Sequence, residues 1–150
     1  MFSINLSTLI LRPVWDVFDF IATPENNSQW QYGSLESVQI SAGEMQLGTI
    51  FSSVGHFLGR RIQSDFEVTE FEKNKSYGFD TISGSVQLQT SYNFETDDRG
   101  TTVIVSSLIS PGRFFKLIDP IVASASKKQF KENLTKLKEL LETKELIHNR

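Results

Sequence analysis

The sequence predicts an α+β domain in which a curved antiparallel sheet of about seven strands wraps around a long C-terminal α-helix. Two short helices follow the first strand. Three observations predict this. Apolar and polar residues alternate along a succession of short runs, the period of half-buried strands. Only a few turn residues divide most of these runs, too few for the crossover that parallel neighbours need. In the last third, Val122, Ser126, Phe130, Leu134, Leu137 and Leu141 recur at spacings of four, four, four, three and four, which is one face of a helix.

The first strand runs from Phe2 to Ile10, where Phe2, Ile4 and Leu6 alternate with Ser3, Asn5 and Ser7. Arg12-Pro13 ends it, and proline's fixed φ suits the first turn of a helix. Val14, Trp15, Val17, Phe18 and Ile21 supply the helical spacing that follows. Thr23-Pro24-Glu25 repeats the start signal for a second short helix through Trp30, with Thr23 as its N-cap.

Strands are then expected over Ser37–Ser41, Gly48–Leu58, Ile62–Glu72, Ser76–Ile82, Val86–Glu95 and Thr101–Leu108. Gly59-Arg60, Asn74-Lys75, Ser83-Gly84 and Asp97-Asp98-Arg99-Gly100 are the turns between the later ones. After Ser110-Pro111-Gly112, Phe114 to Ile118 read as a short helical turn, and Asp119-Pro120 as the N-cap and first residue of the long helix. To Glu145 that helix is roughly 38 Å long at 1.5 Å per residue. Lys127, Lys128, Lys131, Glu132, Lys138, Glu139 and Glu142 fall off its apolar face and are assigned to water.

Composition narrows the function. The 150 residues suit one domain, residues 1–150, with 39% hydrophobic and 22% charged residues, a balance that argues against disorder. Net charge is −3, without the basic excess that displaces counterions from nucleic acid. No cysteine is present, which removes disulfides, thiol nucleophiles and thiolate metal sites. No histidine pair has metal-ligand spacing, and no nucleophile elbow or phosphate-cradling glycine loop appears. The N-terminal stretch lacks the basic region of a signal peptide, and no run approaches the roughly 18 apolar residues of a membrane span. The expectation is a cytoplasmic protein with no metal, no cofactor and no nucleic-acid partner.

The order of elements resembles the helix-grip fold of the START/Bet v 1-like (SRPBCC) superfamily, and within it the polyketide cyclase/dehydrase-like and lipid-transport group. The strings that carry the resemblance are Val17-Phe18-Asp19-Phe20-Ile21-Ala22 with Pro24-Glu25-Asn26 and Trp30, Gly48-Thr49 with Phe51, Gly59-Arg60-Arg61, and Glu67 to Glu72. The Phe-rich entry to the last helix continues it, so that it covers essentially the whole chain. It implies a cavity between sheet and helix. Members of the group either bind hydrophobic molecules or close and dehydrate polyketide rings, so the resemblance does not choose between these.

The residues themselves place a cavity under the first turns of the helix. Ala123, Ser124, Ala125 and Ser126 are small, whereas Phe130, Leu134, Leu137 and Leu141 are bulky and plug the other half. Alternation turns Ser64 and Phe66, with Ile62 and Val68, inward; likewise Tyr77, Phe79 and Thr81, and Val86, Leu88, Thr90, Tyr92 and Phe94. The phase of Thr49 to Leu58 is ambiguous, with Phe51, Ser53 and Phe57 as the preferred inward set. From these and the helix, the expected ligand-binding residues are Phe51, Ser64, Phe66, Tyr77, Phe79, Thr81, Leu88, Thr90, Tyr92, Val122, Ser126 and Phe130.

Apolar walls with a few hydroxyls suit a hydrophobic ligand bearing one or two polar groups, of lipid, isoprenoid or aromatic polyketide type. The alternative is that each hydroxyl is satisfied inside a packed core. His56, Tyr77 and Tyr92 are the candidate acid–base groups of a metal-free cyclase or dehydratase, which requires them to converge on the cavity. Arg60, Arg61, Arg113, Phe114 and Phe115 are candidates for a basic, aromatic rim able to touch an anionic head group or a membrane surface. A third reading is an interaction module with a closed cavity.

Overall fold

Alternating apolar residues bury one face of a strand, and a sheet so built needs a partner on that face. The computed structural model describes residues 1–112 and 119–148, with Asp119 and residues 144–148 as backbone only. The strands are β1 (Phe2–Ile10), β2 (Ser34–Gln39), β3 (Ile50–Phe57), β4 (Arg60–Glu72), β5 (Ser76–Ser83), β6 (Gln87–Thr96) and β7 (Thr101–Ser110). They form one seven-stranded sheet in the order β1-β7-β6-β5-β4-β3-β2, antiparallel at each pairing. The architecture is the Bet v 1-like helix-grip fold, with α3 (Asp119–His148) against the sheet.

The two edge strands are consecutive in sequence but lie at opposite ends of the sheet. The chain crosses between them through α1 (Val14–Ile21), a 3-10 turn (Pro24–Asn26) and α2 (Asn27–Trp30). The expected second helix is thus a 3-10 turn running into one α-turn. Thr23 does not cap it; its hydroxyl donates back to the Asp19 carbonyl at 2.7 Å and so closes α1. β2 begins earlier than expected, at Ser34, directly after Gly33 with φ +84°. A side chain at Gly33 would stand 2.4 Å from the His56 carbonyl oxygen. Only glycine fits this approach, which lets Gly33 accept from the His56 N–H at 2.8 Å.

β4 changes phase midway. Its register against β5 shifts between Val68 and Glu70, and this bulge adds a residue to β4. Val68 is buried, and the next residue packed on the core is Phe71, three positions on. Phe71 and Phe94 then meet Phe18 of α1 edge-on, with ring centroids 5.6 and 5.2 Å apart. This end of the sheet is packed solid.

The same end anchors α3. Leu134, Leu137 and Leu141 are buried, as the helical spacing predicts. Lys138 and Glu142, assigned to water from the sequence, instead clasp the end of β1. Lys138 Nζ donates to the Leu9 carbonyl at 2.6 Å, and Glu142 accepts from the Leu11 N–H at 3.0 Å. Arg12, also buried, donates to the Leu141 carbonyl and pairs with Asp16. Further along α3, Asn133 accepts from the Tyr32 N–H at 2.8 Å and Gln129 donates to the Tyr32 carbonyl at 2.9 Å.

Candidate ligand-binding cavity

Beneath the N-terminal half of α3 the small side chain of Ser126 leaves space. A cavity of about 230 Å³ lies there, roofed by Val122, Ser126, Phe130 and Leu134. Val122 and Ser126 are buried, whereas Ser124 is exposed and Ala123 and Ala125 are half-buried. Of the four small residues, Ser126 is the one that lines the cavity. At one end the lining reaches solvent through exposed Tyr32, Gly33 and His56.

The floor is aromatic. Phe51 stacks on Phe66 with ring centroids 5.1 Å apart, and Phe79 meets both edge-on at 5.1 and 5.2 Å. β3 therefore turns Phe51 inward, and the Phe51–Phe66 pairing across β3 and β4 aligns the two rings. Leu88, Thr90 and Tyr92 continue the wall along β6.

Polar groups are set into this floor, and two pairs of hydroxyls are hydrogen-bonded across neighbouring strands. The Thr90 and Ser107 hydroxyls lie 2.9 Å apart in neighbouring strands. Ser37, Ser53 and Ser64 stand opposite one another on β2, β3 and β4. Ser37 and Ser53 are hydrogen-bonded at 2.6 Å, and Asn27 of α2 donates to Ser37 at 3.4 Å.

Ten expected wall residues line the cavity: Phe51, Ser64, Phe66, Phe79 and Leu88, then Thr90, Tyr92, Val122, Ser126 and Phe130. Tyr77 and Thr81 do not. Tyr77 is buried against Phe79 and Tyr92, in register with Phe71 on the far side of the bulge. The Thr81 hydroxyl accepts from the Leu88 N–H at 2.9 Å, closing the hairpin just past the last β5–β6 pair, Asp80–Gln89. The expectation missed Asn27, Trp30, Val105 and Ile109. Alternation along β7 was the available signal for Val105 and Ile109. A short helix offers none for Asn27 and Trp30.

Of the three acid–base candidates, Tyr92 and His56 line the cavity, His56 at its exposed end, and Tyr77 does not. Tyr77 and Tyr92 stack with centroids 6.2 Å apart. Burial pushes both phenols well above their ordinary range, and the charges of Tyr92 and Glu25 add to the effect on Tyr77. Both are neutral hydrogen-bonding groups at physiological pH. His56 is exposed, opposite Arg61 on β4. Arg60 and Arg61 are exposed at the β3–β4 hairpin, while Arg113, Phe114 and Phe115, like the Phe114 to Ile118 turn, lie outside the described residues. Among the described residues no Asp, Glu, Lys or Arg lines the cavity, no group of three His, Cys, Asp or Glu could hold a metal, and no helix is long and apolar enough to cross a membrane.

Solved structures share this fold across nearly the whole chain. TTHA0849 from Thermus thermophilus matches with a TM-score of 0.79 and 14% identity, covering 93% of this chain and 96% of that one. CV1439 from Chromobacterium violaceum matches at 0.72 and 13%, covering 95% and 99%. Ara h 8.0201 matches at 0.68 and 13%, covering 93% and 97%. At such identities the likeness is one of fold. No curated protein sequence matches the chain. The model of the family described as polyketide cyclase / dehydrase and lipid transport matches residues 1–142, and this chain therefore belongs to that family.

Proposed function

We propose that this protein binds or carries a hydrophobic small molecule in the cavity between the sheet and α3. The observation that carries this reading is the unfilled space under Ser126, walled by Phe51, Phe66, Phe79 and Leu88. Solid packing is the rule in protein interiors, and this fold obeys it around Phe18 and Leu137. A cavity kept open at one end of an otherwise filled core is the usual form of a small-molecule site. Family membership supports a hydrophobic ligand. Tyr77 lies off the cavity and His56 stands at its exposed end, an arrangement that favours carriage over acid–base catalysis by Tyr77, Tyr92 and His56 together.

The test is native mass spectrometry of protein purified from cells, compared with Ser126→Trp, whose indole fills the cavity from above. A bound apolar molecule on the wild type and none on a folded Ser126→Trp is the expected result. An empty wild type that also takes up no added apolar compound overturns the reading.

A further inference from the structure

The polar strip in the cavity narrows the ligand's chemistry. Ser37, Ser53 and Ser64 cross three strands in one row, and Asn27 feeds the row from α2. An amide nitrogen only donates, so the favoured sense of donation is Asn27 to Ser37 to Ser53, each bond polarising the next. The Ser53 proton is then left for Ser64 or for an acceptor in the cavity. Either way one hydroxyl proton of the row ends at the cavity, which both Ser53 and Ser64 line.

A second donor is unmet nearby. Trp30 lines the same cavity and is 3% exposed, and its indole N–H has no acceptor among the described residues. A buried donor without a partner is costly, and an acceptor brought in by a ligand relieves that cost. Tyr92, a neutral phenol, is a further donor on this wall.

Charge and size complete the description. Among the described lining residues there is no Asp, Glu, Lys or Arg, and His56 stands at the exposed end; an organic anion buried in the cavity thus meets no lysine or arginine among them, and burying an unpaired charge is strongly unfavourable. The volume of about 230 Å³ falls below the roughly 300–1,000 Å³ usual for small-molecule sites. Three phenylalanines, Phe51, Phe66 and Phe79, are among the lining residues and supply aromatic surface for another ring.

We propose that the cavity selects a small, uncharged, ring-containing molecule whose carbonyl or ether oxygen accepts a hydrogen bond at the Ser53–Ser64 row, and that it discriminates against anions of the same shape. This rests on the reading of the cavity as a ligand site. The test is equilibrium dialysis of the wild-type protein against naphthalene, acetylnaphthalene and naphthoate at neutral pH. The ketone is expected to bind about fivefold tighter than the hydrocarbon, the effect of one neutral hydrogen bond. Naphthoate is expected to bind at least about tenfold more weakly than the ketone. In the double variant Ser53→Ala/Ser64→Ala the preference for ketone over hydrocarbon disappears while naphthalene binding persists. Naphthoate binding as tightly as the ketone, or no preference for the ketone over naphthalene, overturns the proposal and leaves the cavity reading standing. Failure of all three probes overturns both.

Discussion

The guanidinium of Arg12 donates to the backbone carbonyl of Leu141 at 2.9 Å, joining residues 129 positions apart. Its second terminal nitrogen pairs with Asp16 of α1. One buried side chain therefore ties the end of β1, the first helix and the last helix together. Removing it strands a partly buried carboxylate and a carbonyl. Arg12→Ala is expected to lose about 3 kcal/mol, lowering the melting temperature by about 10 °C, as differential scanning calorimetry measures.

Acid weakens the same junction through Glu142. Burial pushes its carboxyl up, but the Lys138 ammonium and the Leu11 N–H outweigh that, leaving its pKa below the ordinary 4.5. A depressed folded-state pKa contributes stability that is present above the ordinary value and lost as pH falls through the folded one. Glu142→Gln is expected to be less stable than wild type at about pH 7, with the difference shrinking as pH falls below the ordinary carboxylate range. Urea midpoints at neutral and acid pH check this; a difference that persists in acid counts against the Lys138–Glu142–Leu11 link.

Alkali acts on Tyr77 and Tyr92. Their folded pKa values lie above the ordinary 10.0, so the stability they contribute is complete below that value and falls as pH rises past it. The unfolded chain ionises first and draws the equilibrium toward itself. Phenolate absorbance from these two residues is expected to appear together with loss of circular dichroism, in one transition above about pH 10. Phenolate from both in a still-folded protein contradicts their burial.

Phe51 is 1% exposed and touches both Phe66 and Phe79. Phe51→Ala is expected to cost roughly 3–5 kcal/mol in denaturant unfolding. The same change enlarges the cavity, so a bulkier apolar ligand should bind better to whatever fraction stays folded. A loss of under about 1 kcal/mol indicates that the floor collapses to fill the gap.

The strands were legible because alternation is a local signal, and short turns limit each strand's neighbours. Inward placement of Phe66, Phe79 and Leu88 follows from that period alone. Tyr77 does turn inward as its alternation predicts, but it packs beside Phe79 and Tyr92 in register with Phe71, off the cavity, and alternation does not say how far along a strand a cavity extends. Trp30 escaped because one helical turn presents too few residues to declare a face. Lys138 and Glu142 were read as solvent-facing because their partners, Leu9 and Leu11, lie 129 and 131 residues away.

The amino-acid sequence by itself determined the kind and order of the elements, because strand and helix periods are written within a few residues of each other. It also determined which half of the last helix is slim, since side-chain volume is a property of each residue. Only the tertiary structure decided that the Ser126 end stays open while the Leu137 end is filled, and that Ser37, Ser53 and Ser64 form one row. Those facts depend on register and on distances between strands, which are set by the balance of packing over the whole sheet.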